Sequence, residues 1–121
     1  MEEDGWYYDN GEEMPGAPAA DDVEHRVVVE RVYGLAWRRF TPADWETLRQ
    51  IYEGLPGWQP LSGDGARWFS PTEDRDPHLW ASVEPSGLQV AGVLTRGLWR
   101  EWDARFRHEV IGRDLPRYIC A

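Results

Sequence analysis

The densest run of chemically capable side chains in this sequence is Glu73-Asp74-Arg75-Asp76-Pro77-His78. Its carboxylates and imidazole are the oxygen and nitrogen donors that a divalent cation takes. Two features argue against that chemistry. Arg75 sits among the carboxylates and competes for them, and the ligand spacing of a calcium-binding helix–loop–helix is absent. The segment therefore reads as a solvated acidic loop that offers Glu73, Asp74 and Asp76 to a partner, and no metal is expected.

Carboxylates for general acid–base work have candidates in Glu30 and Glu84. Surface placement explains both, and pairing with an arginine would explain a buried Glu30 without catalysis. His25, His78 and His108 are each isolated in sequence, so no zinc-binding pair is present. A serine elbow and a phosphate-cradling glycine loop are also missing. Cys120 is the only cysteine, which excludes an internal disulfide; it reads as a small packed residue rather than a nucleophile. The expectation is a protein that is not an enzyme and needs no cofactor.

Charge is distributed unevenly. Residues 1–24 hold nine acids and no arginine or lysine, whereas residues 25–121 hold 13 acids and 13 bases. An acidic arm over residues 1–24 is thus joined to an electrically balanced body over residues 25–121, read as a single globular domain. Lysine is absent, so every cation is an arginine, a planar fork that grips carboxylates in pairs and stacks on rings. Eight tryptophans, five tyrosines and three phenylalanines supply such rings. The acidic balance opposes direct contact with nucleic acid phosphates or with anionic membranes. No run approaches the ~20 apolar residues that span a bilayer, and the first residues lack the charge and apolar stretch of a leader. A soluble cytoplasmic protein is the expectation.

The elements that would position these groups follow from pattern. Within the arm, Gly5-Trp6-Tyr7-Tyr8-Asp9-Asn10-Gly11 holds three adjacent rings, and residues 15–20 read as a linker. Those rings either dock on the body as an edge strand or anchor the arm in a partner. Residues 26–33 are β-rich, with Val27, Val29 and Tyr33 on one face and Arg31 between them. Residues 35–37 continue as a second short strand. Thr41-Pro42-Ala43-Asp44 is a helix start, and Trp45, Leu48, Ile51, Tyr52 and Leu55 form its core-facing stripe. Residues 66–69 read as a short strand and residues 79–94 as a hairpin turning at Pro85-Ser86-Gly87. Gly92 suggests a bulge, or a ring lying across the backbone. A second helix is predicted over 98–111, with Gly112 as its cap, and a final edge strand over 117–120. The predicted fold class is α+β: a small antiparallel sheet of about four or five strands with two amphipathic helices packed on one face.

Phe40-Thr41-Pro42-Ala43-Asp44-Trp45 with the helix after it resembles the opening of a GNAT-fold acetyltransferase, and the hairpin over 79–94 is similar to that family's central hairpin. The resemblance implies a small acyltransferase-like enzyme. The family's pyrophosphate loop should follow, and Thr95-Arg96-Gly97-Leu98 does not supply it.

Small size, polarised charge and surplus tryptophan point instead to an acidic interaction protein, of the inhibitor or immunity type, that neutralises a basic protein partner such as a nuclease toxin. A DNA-mimic regulator of a nucleic-acid enzyme is the alternative. Trp6, Tyr7 and Tyr8 would be the anchors, with Glu2, Glu3, Asp4, Asp9, Glu12 and Glu13 as the steering rim. Exposed rings leave a homodimer open as well.

Overall fold

The computed structural model describes residues 5–9, 24–60 and 65–119. The strands are β1 (Tyr7–Asp9), β2 (Arg26–Tyr33), β3 (Arg67–Trp68), β4 (His78–Glu84) and β5 (Gly87–Thr95). They form one antiparallel sheet in the order β1-β2-β5-β4-β3. The helices are α1 (Pro42–Gly54) and α2 (Arg96–Gly112). The expected α+β architecture is the one observed.

Alternation along β2 decides which face is buried. Val27, Val29 and Tyr33 point into the core while Arg26 and Val28 stay exposed. Across the ladder these residues stand opposite Leu94, Gly92 and Leu88 of β5. Gly92 makes no bulge, because pairing is regular on both of its sides. It is needed because a Cβ there would strike the His78 carbonyl oxygen, so β4 backbone, not a ring, occupies the space. Gly87 leaves the hairpin turn at φ 137°, a left-handed conformation that glycine tolerates.

Helix α1 begins where the sequence places it. The Thr41 hydroxyl accepts from the Asp44 N–H (3.2 Å), and Asp44 accepts from the Thr41 N–H (2.9 Å). Leu48, Ile51 and Leu55 are buried, but Trp45 is 41% exposed and lies outside the core. Helix α2 starts directly from β5, with the Thr95 hydroxyl accepting from the Leu98 N–H. Thr95-Arg96-Gly97-Leu98 is thus a helix cap and first turn. Trp99, Trp102, Phe106 and Val110 face inward. The chain reverses at Asp114 (φ 53°), not at Gly112, and Leu115 then closes the helix end by donating to the Val110 carbonyl.

Both helices join the inward sheet face in one core built on large rings, among them Tyr33, Trp68, Trp102 and Phe106. Trp102 packs edge-on to Trp68 at 4.9 Å and lies nearly parallel to Phe106 at 5.2 Å. The segments predicted as short strands at 35–37 and 117–120 are mostly irregular. Leu35 bridges Arg117, residues Trp37–Arg39 make a 3-10 turn, and Cys120 lies outside the described residues. No helix among the described residues is long and apolar enough to cross a membrane.

Candidate functional site

The aromatic triplet of the acidic arm splits between inside and outside. Trp6 is completely buried in the core, and its carbonyl accepts from the Gly34 N–H at 2.5 Å. Tyr7 opposes Tyr33 in the ladder and contacts Trp6 edge-on at 5.7 Å. Tyr8, one residue further, turns to the other sheet face and is 41% exposed. Of the three expected anchors, Trp6 and Tyr7 are spent on the chain's own interior. The physical reason is burial: the Trp6 indole gains more from the core than an exposed ring does. Residues 7–9 thus belong to the sheet and Trp6 to the core.

Asp9 is held in the same way. Its carboxylate accepts from Arg31 Nε (2.8 Å) and from the second Arg31 amino group (3.3 Å). The remaining Arg31 amino group donates to Asp103 Oδ1 at 2.9 Å, and the Tyr33 hydroxyl donates to that oxygen at 2.6 Å. Arg107 Nε donates to Asp103 Oδ2 at 3.1 Å. The Arg31 guanidinium also lies between rings, 4.8 Å from the Tyr7 centroid and 5.2 Å from the Trp99 centroid. Burial opposes its charge, but the Asp9 hydrogen bond and the carboxylate charges of Asp103 and Asp9 outweigh that and raise its proton affinity. Burial, reinforced by the Asp103 carboxylate, pushes the Tyr33 hydroxyl well above the usual tyrosine range. Both Asp103 oxygens accept hydrogen bonds from neighbouring side chains, so the cluster acts as a clamp joining β1, β2 and α2.

The loop over 70–77 places the second set of expected contacts. Ser70 Oγ accepts from the Thr72 N–H and Thr72 Oγ1 from the Asp74 N–H, which shapes the turn. Glu73 and Asp74 are exposed, with Arg67 3.7 Å from Glu73. Asp76 pairs with Arg26 and lies 3.3 Å from His78 Nδ1, which is also 3.1 Å from the Arg75 carbonyl. Arg26 and Arg67 thus meet these carboxylates from two strands. Among the described residues no group of three or more His, Cys, Asp or Glu side chains converges as metal ligands. Glu30 accepts from Gln89 at 2.8 Å and Glu84 from Ser82. The expected contacts Glu2, Glu3, Asp4, Glu12 and Glu13 lie outside the described residues.

One surface escaped the sequence reading. Trp37 and Trp45 stack at 4.9 Å with 9° between planes, and Phe40 packs against both. The Trp37 indole donates to the Glu84 carbonyl, which fixes the ring beside the hairpin turn. A groove of about 630 Å³ opens there, lined by Trp37, Arg38, Arg39, Pro85 and Tyr118 among others. The signal was present in the pair Trp37-Arg38-Arg39 and Trp45, an aromatic–arginine grouping of the type that marks binding surfaces.

The chain matches no protein-family model, no curated protein and no solved structure.

Proposed function

We propose that this chain is a non-enzymatic binding protein of the inhibitor or immunity type, which recognises a basic protein through its acidic segments. The observation that carries the reading is the Arg26–Asp76 ion pair. It joins the start of β2, two residues after Glu24, to the loop bearing Glu73 and Asp74. Two acidic groups far apart in sequence thereby share one end of the molecule. Clustered carboxylates at a surface steer a cationic partner and satisfy its arginines and lysines. The clamp around Asp103 supports the same reading, since its donors and acceptors are already engaged with each other. Trp6 and Tyr7 serve here by fastening the arm, and Tyr8 is the ring of the triplet that a partner can reach.

The test uses the full chain as bait in an extract of its source cell, over a salt series. Retention of a basic protein, weakening steeply between about 50 and 200 mM salt, is the expected result. A variant with E12Q, E13Q, E73Q and D74N should lose both affinity and salt dependence. If that variant keeps the same partner with the same ionic-strength profile, the acidic segments are not the contact surface.

A further inference from the structure

The opposite end of the sheet carries a surface of the other polarity. The groove beside the hairpin turn is lined by Arg38 and Arg39 and, among the described residues, by no acidic side chain, on a chain whose net charge is −9. Its apolar walls are Trp37, Pro85 and Tyr118, and Tyr118 is 39% exposed. The walls are held in place: the Trp37 indole is fixed to the Glu84 carbonyl and the Tyr118 hydroxyl donates to the Ser86 carbonyl. The Tyr118 N–H donates to the Gly34 carbonyl at 3.0 Å, and Arg39 donates to the Arg117 carbonyl at 3.2 Å. The floor and both rims are thus pre-ordered, which reduces the entropy lost when a ligand settles.

The apolar line runs beyond the groove on both sides. On one side Trp37 stacks on the exposed Trp45, and on the other Tyr118 is followed by Ile119, 70% exposed. A compact ligand would fill the groove and leave that line uncovered. An extended chain covers it. Paired guanidinium forks suit carboxylates, and ordered aromatic walls suit proline or leucine side chains.

We propose that this groove binds an acidic linear peptide segment of a partner protein, with its carboxylates on Arg38 and Arg39 and an apolar residue between Trp37 and Tyr118. The site is separate from the acidic surface described above and does not depend on it. Charge complementarity identifies the ligand: the groove is locally basic, while the chain as a whole repels polyanions such as nucleic acid.

The test is fluorescence anisotropy with three labelled probes: a ten-residue peptide of alternating Glu, Pro and Leu, its Lys-for-Glu counterpart, and a single-stranded decanucleotide. The Glu peptide alone should bind saturably, and R38E with R39E should weaken it about tenfold or more. The exposed positions of both arginines keep these variants folded, and far-UV circular dichroism checks that. E73Q with D74N should leave peptide binding unchanged. Equal binding of the R38E/R39E variant, or preference for the Lys peptide or the oligonucleotide, overturns the proposal. So does a wild-type chain that self-associates and releases the Glu peptide as it does so, because the groove would then be an interface between copies.

Discussion

Asp103 is the residue on which the interior charge balance turns. Its side chain is 11% exposed and that of Arg31 is 14% exposed, so neither charge is well hydrated without the other. Replacing Asp103 by alanine leaves Arg31 with Asp9 as its carboxylate partner and takes the acceptor from the buried Tyr33 hydroxyl. The expected cost is about 1–3 kcal/mol, read as a fall in the urea midpoint. A cost under about 1 kcal/mol would mean the clamp is ornamental. Tyr33 makes a second, pH-dependent prediction. Its proton is held more tightly in the folded chain than in the unfolded one. That contribution is complete below the ordinary tyrosine value of about 10 and is lost as pH rises beyond it, where only the unfolded chain ionises. Stability should therefore fall above about pH 10, and Tyr33→Phe should show a shallower alkaline decline. Parallel declines would assign the effect to other groups.

At the scale of elements, β1 is the strand whose role most depends on one side chain. It is only three residues long, and such an edge does not hold itself by backbone pairing alone. Trp6 supplies the missing free energy from the core. Trp6→Ala should cost about 3–5 kcal/mol, whereas E2Q, E3Q and D4N together should stay within about 0.5 kcal/mol. Chemical denaturation of both variants separates a structural arm from a merely charged one. Equal costs would mean that charge rather than burial fixes the strand. Elements with a local cause were readable in the sequence: the Thr41–Asp44 capping box, the β-branched run of β2 and the hairpin around Pro85-Ser86. Elements fixed by distant partners were not. Trp45 fits the helical stripe, yet Trp37 draws it out by stacking. Asp103 follows Trp99 by four residues and precedes Phe106 by three, so helical spacing does place it on the buried face. Its i,i+4 spacing to Arg107 equally suits a surface ion pair, and only the fold brings Arg31 to it.

At the scale of the whole molecule, the eight residues of β2 separate two surfaces of contrasting chemistry by roughly 25 Å. Glu24 and the 70–77 loop sit where the strand begins, and the arginine–aromatic groove sits beyond its end at the hairpin turn. The acidity behind the first is legible in composition. Of the second, the sequence shows only the Trp37-Arg38-Arg39 and Trp45 grouping, because Trp37, Pro85 and Tyr118 come from three distant stretches that only folding assembles. Asp9 and Glu24 are both placed by the sheet, one in β1 and the other just ahead of β2. The chain is therefore held on both sides of the residues between them. A single cut between Asp9 and Glu24 would not release the N-terminal piece. Trp6 and the Arg31 tie would keep the short fragment seated, and the nicked protein would behave as a two-part complex that must be denatured before it separates.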